Sequence, residues 1–179
     1  MLMGPADKQE LELLELGYNP SAAYDVVDAI TRREVDLAQQ LAAEPKWQKR
    51  LDDIVDARAL YWDLREDWDQ AVSDVWPRIV TIDEFGLDRL RRILRGIPIV
   101  DIESTIRRAN FSTGSHKWKK NDIHDSDFAG SAVTYCDVVW TEKHLQAQLH
   151  GHGLDRKYGT TVLSRPGELA AYLKQQSSV

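Results

Sequence analysis

Apolar positions along this chain recur first at helical spacing and then, near the carboxyl end, in short strand-like runs. Residues 6 to 16 carry Leu11, Leu13, Leu14 and Leu16, and Gly17 follows as a stop, so a first helix is predicted there. Asn19-Pro20 offers a cap and a first-turn proline for a second helix. Val26, Ile30, Leu37 and Leu41 space its apolar stripe. Glu44-Pro45 closes it, because the residue before proline avoids the helical region. Residues 46 to 75 contain neither Gly nor Pro, and Trp47, Ile54, Tyr61, Trp68 and Val75 fall at seven-residue spacing. With Ala57, Leu64 and Ala71 they predict one long amphipathic helix, or two in tandem, with a single apolar seam. The seam reads as a core-facing stripe or as a partner-binding surface.

Trp76-Pro77 ends that pattern, and Arg78 to Phe85 is an apolar run of ambiguous type. Leu87 to Leu94 reads as a helix rich in arginine (Arg89, Arg91, Arg92, with Arg95 beyond), stopped by Gly96. Ile97 to Val100 reads as extended, Asp101 to Ala109 as helix, and Phe111 to Lys120 as an exposed basic loop. From there the period changes. A small-residue helix over Ser126 to Thr134 precedes an apolar strand, Asp137 to Trp140. A helix from Glu142 to His150, a glycine-punctuated loop from Gly151 to Gly159 and a second strand, Thr160 to Leu163, follow. Ser164-Arg165-Pro166 opens a last helix through Lys174. Strand, helix, strand predicts parallel strands with a right-handed crossover, whose functional crevice lies at the carboxyl ends of the strands. The fold class is α/β: a helical region over residues 1–96 and a βαβ-containing part over 97–179, together one compact domain.

Composition narrows the function classes. The chain has 179 residues, enough for a sizeable core. Its net charge of −6 argues against broad, sequence-independent attraction to nucleic acid, yet leaves room for a metal-dependent site whose ions bring their own positive charge. One cysteine, Cys136, rules out an internal disulfide and reads as a small buried residue in a reducing compartment. No apolar run reaches the length of a membrane span, and the opening MLMGPADKQELELLELG is too charged for export. A cytoplasmic protein is expected.

The stretch with the most chemistry is Asn121 to Glu142, where Asp122, Asp125, Asp127, Asp137 and Glu142 crowd one short helix and one strand. Carboxylates at that density favour an offsetting cation. Phosphodiester hydrolysis by Mg²⁺ or Mn²⁺ needs oxygen ligands converging in a cleft. Asp122 and Asp125 share a face if a helix starts there, and Glu142 enters from the strand end. Asp125 and Glu142 are therefore the leading ligands and catalytic acids, with Asp122 third. The same two aspartates also suit the first turn of any helix, where the dipole favours acids. Asp127 reads as a cap. Lys117, Lys119 and Lys120 with Trp118 form a basic–aromatic cluster of the kind that binds single-stranded RNA, or simply a solvated loop. The five histidines match no zinc spacing, His150 and His152 included, and no glycine-rich phosphate loop occurs.

The residues NDIHDSDFAGSAVTYCDVVWTEKHL resemble the carboxyl half of PIN-like domains, over roughly residues 97 to 174. That resemblance implies a three-layer α/β/α sandwich around a small parallel sheet, and a Mg²⁺- or Mn²⁺-dependent ribonuclease, often the toxin of a toxin–antitoxin pair. It matches Asp125 to the acid opening the family's third motif, Thr141 and Glu142 to the threonine and acid closing the strand, and Asn121-Asp122 to the preceding pair. The family's amino-terminal strand and its aspartate are not found before Leu11, and Glu34 is a candidate for the second family acid. The expected function is a divalent-metal-dependent endoribonuclease acting on single-stranded RNA, truncated or degenerate in its amino-terminal half. Asp122, Asp125 and Glu142 would hold metal, with Asn121, Thr141, Lys119 and Lys120 at the substrate. A cognate antitoxin or a second copy is the expected protein partner, and no membrane is. The alternatives are a non-catalytic helical interaction module built on the Trp47–Val75 seam, or an effector that processes DNA with the same acids.

Overall fold

A proline sets the first boundary. In the computed structural model, which describes residues 14–17, 19–76, 84 and 86–177, helix α1 runs from Pro20 to Ala43. The chain then passes through a 3₁₀ segment, Pro45–Arg50, helix α2, Leu51–Arg58, a π-helical turn, Ala59–Asp63, and helix α3, Arg65–Val75. Helices α4, Leu87–Gly96, α5, Pro98–Ser112, and α6, Lys120–Tyr135, follow. The carboxyl part is β1, Val138–Trp140, α7, Lys143–Gly151, α8, Leu154–Tyr158, β2, Thr161–Leu163, and α9, Pro166–Gln176. The protein is mostly helical with one small parallel sheet, as its α/β reading requires.

The two strands pair in parallel with Val139 opposite Val162, and both residues are buried. Helices α5 and α6 pack extensively and, with α7 and α8, cover this pair. Ile102, Ile106, Ala129, Val133, Leu145, Leu149 and Leu154 complete that core. Burying apolar surface of this kind is worth roughly 25 cal/mol per Å², which makes this cluster the main anchor of the sheet. Polar side chains stitch it. Thr160 Oγ1 donates to the Val133 carbonyl at 2.7 Å, Lys157 and Tyr158 both donate to Asp101 Oδ2, and Gln148 donates to Asn110 at 2.6 Å.

Two further cores carry the amino-terminal helices. Leu37 and Leu41 of α1 meet Leu51 and Val55 of α2, with Phe111, Trp118 and Ile123 on the other side. Ala59 and Leu60 meet Leu90, Leu94 and Val100. Asp56 of α2, buried, takes Arg108 of α5 and Arg91 of α4, so charge as well as apolar contact joins the two halves.

Several elements differ from the sequence pattern. The helix expected over 6–16 lies outside the described residues apart from Leu14 to Leu16, and the Arg78–Phe85 run lies outside them apart from Glu84. Residues 46–75 are four pieces rather than one helix, and their seven-residue seam is not the buried face: Trp47, Tyr61 and Val75 are exposed, while Leu51, Val55 and Ala59 are buried. The buried set follows a four-residue step, and the π turn, closed by Leu64 N–H on the Ala59 carbonyl, shifts the phase of everything after it. Val26, counted in the α1 stripe, is exposed as well. The extended stretch expected at 97–100 is extended only at Ile97, because Pro98 takes the first helical position. The glycine-rich loop over 151–159 contains α8, bracketed by Gly153 and Gly159 in the left-handed region that favours glycine. Cys136 is exposed, not a core residue.

Candidate functional site

Helix α6 begins because its first turn is capped from within. Lys119 is extended, and its N–H donates to Asp122 Oδ2 at 2.7 Å, so an acid sits where the helix dipole favours one. His116 Nε2 lies 3.2 Å from the same oxygen. One of Asp122's two oxygens is therefore engaged by the cap. Asn121 beside it is exposed. Asp125 follows one turn along, also exposed as a residue.

The other wall is the end of β1. Thr141 N–H donates to the Leu163 carbonyl at 2.9 Å, extending the ladder one residue past the strand, and leaves Thr141 half-buried. Glu142 is extended and forms the N-terminal boundary of α7, with its carbonyl taking the Gln146 N–H at 2.9 Å and its side chain exposed.

The two walls are electrostatically in touch. The Asp125 carboxyl is held above the usual aspartate range, first by partial desolvation, then by the negative charges of Glu142 and of Asp122. His124 and His144 oppose the rise. Three carboxylates from a helix start and a strand end thus repel one another, and the cationic groups that act on Asp125 are two histidines. Sequence spacing brought out the acids but not His124 and His144, which reach the group only because the α6–β1–α7 crossover folds them together.

The basic–aromatic cluster is not assembled. Trp118 is buried, tilted against Phe111 at 4.8 Å between ring centroids, and packs in the core with Ile123. Lys120 is drawn to Asp28 of α1, and Lys119 is exposed at the boundary of α6. Trp118 is in place as a core residue rather than a stacking platform. The loop that carries it is consequently not the fully exposed one its polar sequence suggests.

Asp127 does not cap a helix; it lies inside α6, on the side that meets α5. There it joins a group that sequence spacing did not bring out. Glu34 of α1 is buried and lies 3.0 Å from Arg58 of α2. Arg107 of α5 bonds Asp63 of the π turn at 2.5 Å and has Glu103 at 3.7 Å. Burial raises the Glu34 carboxyl against the pull of Arg58 and Arg107. Burial likewise raises Asp127, against Arg107 and His124. The signal in the sequence was faint: isolated Glu and Arg positions on otherwise polar helix faces.

Among the described residues, no three His, Cys, Asp or Glu side chains form a set able to hold a metal ion on their own. His150 is paired with Asp155 at 2.7 Å. Among the described residues, too, no helix is long and apolar enough to cross a membrane. No protein-family model, no curated protein and no solved structure matches the chain.

Proposed function

We propose that this chain is a PIN-like, divalent-metal-dependent endoribonuclease acting on single-stranded RNA, with Asp125 and Glu142 as its principal acids and Asp122 beside them. The observation that carries this reading is the mutual repulsion of those three carboxylates at a helix start and a parallel-strand end, the position at which open α/β sheets bind ligands. Mg²⁺ is commonly held by one or two carboxylates, with water and substrate phosphate completing its shell, so the lack of a closed protein cage suits that ion better than zinc. Bound there, Mg²⁺ or Mn²⁺ would lower the pKa of a water and polarise the phosphate. The chain's own residues would then set the geometry: the Asp122 cap fixes the pitch of α6, and the β1–β2 ladder fixes Thr141 and Glu142. Asn121 and Lys119, both exposed beside the acids, are the proposed substrate contacts.

The test is cleavage of a fluorescent single-stranded RNA with Mn²⁺, with manganese binding followed by calorimetry. Wild type should cleave and bind, and Asp125→Asn should do neither while keeping its circular dichroism spectrum. Equal cleavage by Asp125→Asn would remove the assignment.

A helical interaction module is the second reading, favoured by one observation. Helix α3 buries none of its residues, and Trp47, Tyr61 and Val75 stay exposed. Sedimentation velocity distinguishes the two readings. Under this second one, a concentration-dependent oligomer should be broken by Val75→Glu with the monomer still folded.

A further inference from the structure

Away from Asp125 and Glu142, a charged network joins five elements. It contains Glu34 from α1, Arg58 from α2, Asp63 from the π turn, Glu103 and Arg107 from α5, and Asp127 from α6, with His124 acting on Asp127. Four carboxylates face two guanidiniums. With every one of them ionised, the network would hold two uncompensated negative charges, so a proton is the simplest way to relieve it.

Arg107 stands at the branch point. Its Nη1 lies 2.5 Å from Asp63 Oδ2 and its Nη2 lies 3.7 Å from Glu103 Oε2, while its Nε has no hydrogen-bond partner. Its side chain is only 9% exposed, which leaves it to divide between carboxylates rather than turn to water. Glu103 has no room to withdraw toward α6. A Cβ placed on Gly130 would stand 3.0 Å from Glu103 Oε1 and 3.1 Å from Ile99 Cγ2, so the carboxylate rests on bare glycine backbone.

The other end of the Arg107–Asp63 bond is the π turn, a backbone form that recurs at functional sites. It carries Tyr61 and Trp62, both exposed, and leads into α3, which buries none of its residues. Arg33 and Arg58 lie over the Trp62 ring, at 4.8 and 4.6 Å from its centroid.

We propose that Glu103 is a proton-operated latch. Protonated, it leaves Arg107 to Asp63 and holds the π turn against α5; ionised, it draws Arg107 away and frees the π turn with Tyr61, Trp62 and α3. The latch works near neutral pH. Burial pushes the Glu103 carboxyl up, Arg107 opposes, and Asp127 and Asp63 add to the rise, leaving it at about 7.

Two measurements test this on the full chain. Hydrogen–deuterium exchange of the 59–68 segment, corrected for the intrinsic pH dependence, should be about tenfold faster at pH 8 than at pH 6, the equivalent of one charge-assisted hydrogen bond. Glu103→Gln should stay slow at both values, and Asp63→Asn should be fast at both. Carboxyl ¹³C titration of Glu103 in the wild type should give a midpoint near neutrality, which decides the matter even if a variant folds poorly. A midpoint below about 5, close to an ordinary glutamate, would overturn the latch. So would pH-independent exchange in the wild type, or the same pH response in Glu103→Gln.

Discussion

Replacing Glu103 by Gln removes one ionisable group from a site where ionisation is costly, and its effect on stability can be worked out in advance. The side chain is 17% exposed, so solvent screens it little. Moving a carboxyl midpoint from 4.5 to about 7 corresponds to about 3 kcal/mol, at about 1.4 kcal/mol for each tenfold change in proton affinity. The sign follows from proton counting. Below pH 4.5 the carboxyl is protonated in both folded and unfolded chains, and no cost exists. Between 4.5 and 7 the folded chain holds a proton that the unfolded chain has released, so stability falls as pH rises. Above 7 both forms are ionised and the whole cost is present. Glutamine occupies nearly the same volume without the charge. Urea unfolding should therefore find Glu103→Gln close to wild type at pH 4.5 and more stable by up to about 3 kcal/mol at pH 8. A variant equally destabilised at both values would refute the reasoning, because it would show Glu103 acting as a structural ion-pair partner of Arg107.

Other sites give separate tests. Asp125→Asn relieves repulsion from Glu142 and Asp122, so the variant should be no less stable than wild type above pH 6 while losing metal-dependent cleavage, as thermal melts and the RNA assay would show. Gly130→Ala places a methyl group against Glu103 and Ile99 at about van der Waals overlap, and should cost about 1–3 kcal/mol by denaturant unfolding. Leu149→Ala opens a cavity in the core beside the sheet, where Leu149 is fully buried, and should cost about 2–5 kcal/mol in the same assay. Thr160→Val strips the buried Val133 carbonyl of its 2.7 Å donor and should cost about 1–3 kcal/mol, with faster amide exchange along β2.

Much of this protein is decided by local chemistry, and that part is legible in the chain. Asn19-Pro20, Glu44-Pro45 and Trp76-Pro77 mark helix ends because proline restricts itself and its predecessor wherever it occurs. The short apolar runs DVVW and TTVL, separated by a helix, allow only the parallel crossover that is observed. The clustering of Asp122, Asp125 and Glu142 could be read for the same reason: helix spacing and strand ends are local geometry. What tertiary structure alone decided is phase and partnership. A π turn at Ala59–Asp63 rotates the following helix, so the seven-residue seam that looked like a core stripe leaves Tyr61 and Val75 in solvent. Trp118 sits in a polar, glycine-containing stretch that reads as surface, yet Phe111 and Ile123 draw it inside. Most of all, Glu34, Arg58, Asp63, Glu103, Arg107 and Asp127 are scattered over residues 34 to 127 on faces that each look solvated. No local rule pairs them. Their shared burial arises only when helices from both halves of the chain close on one another.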